Sequence, residues 1–113
     1  MGGNVFTLLH NLRKSGLDKI INNISRTEHF VISGFSAGAI VLTPDVRIAG
    51  LKWNFGSDKN IVKIKDTRGL GLVDFEILPH YDDKDAAGLK NYSRRYNVEV
   101  KPLRNDEFLV VDA

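Results

Sequence analysis

The chain has 113 residues, 42% of them hydrophobic and 27% charged, a balance that suits one small globular domain with its own core. Sixteen Lys and Arg are interspersed with fourteen Asp and Glu for a formal charge of +2, so no basic face argues for a nucleic-acid partner. The absence of cysteine excludes disulfides, thiolate catalysis and cysteine-based zinc sites. No apolar run approaches the ~18 residues of a membrane span or forms a signal core behind a basic N-terminus, so a cytoplasmic protein with no membrane partner is expected.

Val5, Phe6, Leu8, Leu9 and Leu12 recur at helical spacing until Ser15-Gly16 interrupts, predicting a first helix; Leu17, Ile20, Ile21 and Ile24 continue the period as a second helix or as a continuation kinked at Gly16. Phe30 to Ser33 is too short an apolar run for a helix and reads as a buried strand ended by Gly34. Ala37 to Leu42 suits a short helix that Pro44 ends. Arg47 to Ala49 and Ile61 to Ile64 read as short strands either side of a polar connection containing Trp53, Asn54, Gly56, Ser57 and Asp58. Phe75 to Leu78 predicts a buried strand that runs into Pro79-His80-Tyr81, and Asp85 to Tyr96 predicts a helix. Val98 to Lys101 and Phe108 to Val111 predict a terminal hairpin around Pro102, Asn105 and Asp106. This order implies an α/β fold, a partly parallel sheet flanked by helices, in a single domain over residues 1–113.

Gly34-Phe35-Ser36-Ala37-Gly38 has the G-x-S-x-G pattern of a nucleophile elbow, with an apolar strand before it and helix-compatible residues after it. In that arrangement the flanking glycines relieve crowding in the turn, the Ser36 hydroxyl projects beyond the sheet, and the Ala37 amide can donate to a developing oxyanion. The same pentapeptide also reads as a strand-to-helix turn with an N-capping serine. A serine hydroxyl needs a neighbouring base, and three histidines are available. His10 falls on the polar side of the first helix, and His29 lies at the far end of the strand that leads to the elbow. His80 follows the carboxyl end of the Phe75 to Leu78 strand, the edge at which α/β sheets bind ligands. If the two strands run parallel, Ser36 and His80 emerge together.

Four blocks, "GGNVFTLL", "SGLDKII", "GFSAGA" and "GLGLVDFEILPHYDD", resemble in order and spacing the peptidase E and cyanophycinase family of serine peptidases, from Gly2 to about Tyr96. The resemblance implies the C-terminal half of a flavodoxin-like, class I glutamine amidotransferase-like domain. It implies Ser36 as nucleophile and His80 as general base, and Gly3 and Ala37 as oxyanion-hole donors. Asn4 and Arg94 are implied as substrate-binding residues, the arginine because its planar fork pairs with carboxylates. It further implies hydrolysis of short peptides, with dipeptides bearing an N-terminal aspartate as the type substrate, and no metal or organic cofactor. For the acid that orients the histidine, the family's register falls on Leu51 to Trp53; Asp58 is the expected substitute, with Asp45 and Asp66 behind it.

Members of that family carry further strands and helices before the GGN block, so the chain reads as a truncated peptidase E-like domain. Sheet edges left open by such a truncation invite pairing with a second copy or with a complementing N-terminal half. An inactive module acting through such association is the competing reading. His80, Asp82, Asp83 and Asp85 form a third candidate, a metal cluster, although their spacing matches no known metal motif.

Overall fold

The computed structural model describes residues 4–26, 34, 36–105 and 107. Helix α1 spans Val5–Ser15 and α2 spans Leu17–Ser25, as the helical spacing predicts. Asn4 starts α1: its Oδ1 accepts from the Phe6 and Thr7 amides at 3.0 and 3.1 Å, taking up donors that have no partner within the helix. Gly16, at φ 80°, ends α1 in the left-handed conformation and turns the chain directly into α2. α1 buries Val5, Phe6 and Leu9, whereas α2 buries no residue and leaves Leu17 and Ile20 exposed.

A third helix, α3, covers Ala37–Ile40 and is two residues shorter than predicted. It stops because the carbonyls of Val41, Leu42 and Thr43 turn away to accept from Leu70, Leu72 and Gly71, at 2.8, 2.8 and 3.1 Å. The segment Arg47 to Ala49, expected as a strand, is a 3-10 turn over Arg47–Gly50. Asp45 causes this by accepting the Arg47 amide on Oδ1 at 2.9 Å, a local bond that competes with strand pairing. Ile61 to Ile64, also expected as a strand, is irregular: the Asn60 side chain bonds both the amide and the carbonyl of Ile64, at 3.1 and 2.7 Å, in place of a neighbouring strand. The expected strand at Phe30 to Ser33 lies outside the described residues.

Strand β1, Glu76–Leu78, is buried at all three positions and pairs in parallel with β2, Val100–Pro102. Between them lie a 3-10 turn, Asp83–Asp85, and helix α4, Ala86–Tyr96. This is a right-sized βαβ crossover, and it corrects the expected terminal hairpin: the run from Val98 to Lys101 joins β1 rather than a following strand, while Phe108 to Val111 lies outside the described residues. The pairing continues past both strands. Leu103 donates to Leu78 and Tyr81 donates to Leu103, each at 2.9 Å, so the segment after β2 runs alongside the segment after β1.

The core joins Val5, Phe6 and Leu9 of α1, Ile40 and Val41, Ile48, Trp53, Leu78 of β1 and Tyr92 of α4. Beside it lies a polar knot: the Tyr92 hydroxyl donates to Glu76, and Arg47 reaches Tyr92, Glu76 and Asp45 at 3.0, 3.2 and 3.3 Å. No helix among the described residues is long and apolar enough to cross a membrane.

Candidate active site

Ser36 stands at φ 55° and ψ −115°, a backbone conformation unfavourable for any residue with a Cβ. A tight elbow at the entry to α3 imposes that conformation and lifts the serine hydroxyl clear of the chain. The flanking glycines have unequal duties. A Cβ on Gly34 would stand 2.4 Å from the Gly38 carbonyl oxygen, so the elbow closes only because position 34 has no side chain. A Cβ on Gly38 meets nothing within 4 Å among the described residues, which corrects the expectation that both glycines relieve crowding.

His80 follows β1 in a turn, also at positive φ (57°). Its Nε2 lies 3.2 Å from Ser36 Oγ, so the hydroxyl and imidazole separated by 44 positions in sequence meet at the carboxyl edge of the sheet. The ring of Phe55 covers one side of the imidazole, with centroids 5.4 Å apart. On the opposite ring nitrogen, Nδ1 is 2.6 Å from Asn105 Oδ1. The sequence reading passed over Asn105 as a turn residue. A signal for it existed: Asn105 follows β2 as His80 follows β1, and a parallel reading of Val98 to Lys101 brings both to one edge.

The remaining expected site residues are placed as follows. Ala37 is buried beside Ser36 and opens α3, where a helix's first amides have no partner within the helix. Gly3 lies outside the described residues. Asn4 is committed to capping α1, and its Nδ2 donates to the Lys59 carbonyl at 2.6 Å. Asp58 shares with Ser36 the wall of a cavity of about 40 Å³, which Ala37, Ile40, Phe55, Leu78 and Pro79 also line. Its Oδ2 accepts the Val5 amide at 2.8 Å, so this carboxylate caps α1, and among the described residues it is the Asn105 oxygen that faces Nδ1 of His80. Asp45 serves Arg47 and Thr67, and Asp66 serves Arg68. Arg94 sits exposed in the last turn of α4. Tyr92 of the same stretch bonds Glu76 at the start of β1, so Arg94 is at the end of the helix away from His80 and is not brought to the Ser36–His80 pair.

The carboxylates after His80 also have structural work. Asp82 accepts the Lys84 amide at 2.9 Å and Asp85 accepts the Asp82 amide at 3.1 Å, a reciprocal cap on the 3-10 turn that leads into α4, while buried Asp85 holds the Asn54 amide at 2.6 Å. Asp83 pairs outward with Arg104. Among the described residues no three His, Asp or Glu side chains are grouped to hold a metal ion.

The sequence profile of peptidase family S51 matches residues 1–112. The chain belongs to this family. It is 33% identical to a peptidase E of a Nostoc species over 112 residues, 98% of this chain and 40% of that one. It is 34% identical to a peptidase E of Shewanella amazonensis, over 98% of this chain and 41% of that one. A solved structure from Listeria monocytogenes EGD-e assigned to peptidase E superposes with a TM-score of 0.67 at 30% identity, covering 92% of this chain and 49% of the other. The S51 chain described here thus spans about half the length, or less, of these relatives. Its fold is the α/β, class I glutamine amidotransferase-like arrangement that the sequence resembles.

Proposed function

We propose that this S51 chain carries the reacting groups of a serine-type peptidase that hydrolyses short peptides through an acyl-enzyme. The observation that carries the reading is the 3.2 Å approach of Ser36 Oγ to His80 Nε2 on a strained elbow. Ser36 Oγ attacks the carbonyl carbon of the scissile bond while its proton passes to Nε2, and the negative charge that collects on the carbonyl oxygen is met by the Ala37 amide. The C–N bond then breaks, Nε2 hands the proton to the departing amine, and the acyl group remains on Oγ. Water repeats the sequence: it gives a proton to Nε2, attacks the ester carbon, and Oγ leaves with that proton. With Arg94 at the far end of α4, the reading extends to short peptides and not to a preference for N-terminal aspartate.

Fluorophosphonate labelling tests the reading. Covalent modification at Ser36, absent in Ser36→Ala and slowed at least about 100-fold in His80→Ala, is the expected result; a folded wild-type chain that takes no label overturns it.

A second reading, association with another copy or with a complementing N-terminal segment, is favoured by α2, which buries no residue and exposes Leu17 and Ile20. Sedimentation of a strictly monomeric species would count against it.

A further inference from the structure

We propose that Asn105 is the positioning residue for His80, so that the Ser36–His80 pair of this chain is oriented by a neutral amide where a carboxylate was expected. The inference rests on the peptidase reading above and deepens it. An amide oxygen only accepts, so the 2.6 Å contact of Asn105 Oδ1 requires the proton of a neutral His80 ring to sit on Nδ1. The lone pair is then on Nε2, the nitrogen 3.2 Å from Ser36 Oγ, which is the arrangement that lets imidazole take the serine proton. An asparagine fills the equivalent place in papain-like cysteine proteases.

The surroundings of Asn105 hold it there. On one side Leu103 is bonded into the sheet through both Leu78 and Tyr81. On the other, the Arg104 amide donates to Glu107 Oε1 at 2.8 Å and the Glu107 amide donates back to the Arg104 carbonyl at 3.0 Å, closing a turn around position 105. The Arg104 guanidinium lies over the Tyr81 ring, 5.3 Å from its centroid, and pairs with Asp83 at 2.5 Å. Asn105 is exposed, and a bond open to water orients its partner only when the backbone beneath it is fixed; three backbone–backbone bonds, the bond from the Arg104 amide to the Glu107 side chain and one ion pair fix it here.

The choice of an amide has a consequence. It sets tautomer and ring plane but adds no charge to stabilise the imidazolium that forms during attack. Replacing it with a carboxylate adds that charge.

The test compares wild type, Asn105→Ala and Asn105→Asp by the rate of fluorophosphonate labelling at Ser36 across pH, and by the nitrogen chemical shifts of His80. Asn105→Ala is expected to slow labelling about 10- to 100-fold and to move the ring from the Nδ1–H toward the Nε2–H tautomer. Asn105→Asp is expected to keep the Nδ1–H tautomer and to restore the rate. Labelling of Asn105→Ala within twofold of wild type, with the tautomer unchanged, overturns the proposal. If wild type takes no label at all, the peptidase reading fails, while the tautomer of Asn105→Ala still decides whether Asn105 positions the ring.

Discussion

Gly34 shows how tightly one position can constrain the site. Any Cβ there must displace the Gly38 carbonyl, which is backbone and cannot swing aside as a side chain can. Gly34→Ala is therefore expected to cost about 1–3 kcal/mol of stability and to suppress labelling of Ser36, because relief of the clash opens the elbow. Gly38→Ala adds a methyl to a helical position with free space among the described residues, where alanine is the better helix former. It is expected to cost less than Gly34→Ala in a thermal melt of both variants. Equal costs would show that the elbow does not depend on the approach of positions 34 and 38.

Elements whose signals are local were legible in the sequence, and those that depend on distant partners were not. The apolar spacing of α1 and α2, the break at Gly16 and the strand before His80 are all written within a few residues of where they act. Asp45 and Asn60 defeated the strand readings because single polar side chains captured the backbone of Arg47 and Ile64. The nucleophile was legible from its Gly-x-Ser-x-Gly pentapeptide, and its base because it follows the end of β1. Their third partner was not, because Asn105 reaches His80 only through the parallel register of β1 and β2, whose strands are joined by α4 rather than a turn. At the head of α1, Asn4 serves two amides and the Lys59 carbonyl, and Asp58 serves the Val5 amide. Asn4→Ala should lower stability by about 1–2 kcal/mol, and Asn4→Asp, which keeps the acceptor but loses the donor to Lys59, should fall between it and wild type. Urea denaturation of the three proteins checks the order; an Asn4→Asp as weak as Asn4→Ala would mean that the cap contributes nothing.

At the scale of the whole molecule, the Glu76, Tyr92 and Arg47 knot clamps α4 onto the start of β1 and onto the 3-10 turn before Trp53. Arg47 also lies 4.0 Å from the centroid of the Tyr96 ring, adding a cation–π contact from the last turn of the same helix. Glu76 is almost fully buried, and loss of hydration holds its carboxyl above the ordinary value of 4.5; the Tyr92 hydroxyl and the Arg47 charge oppose that rise without cancelling it. Burial, together with the bond to Glu76, also pushes the Tyr92 hydroxyl far up, so it stays a donor throughout the neutral range. Between 4.5 and the elevated folded value of Glu76, the folded chain keeps a proton that the unfolded chain has released. Raising the pH through that window therefore withdraws stability, and below 4.5 the group is protonated in both states and contributes no slope. Glu76→Gln removes this titration. The variant starts less stable, because its amide nitrogen cannot accept from both Tyr92 and Arg47, but its stability is expected to decline less than that of wild type as pH climbs above 4.5. Chemical denaturation of the two proteins at stepped pH reads the difference directly: a gap that narrows toward neutral pH bears out the buried carboxyl, and parallel curves would refute it.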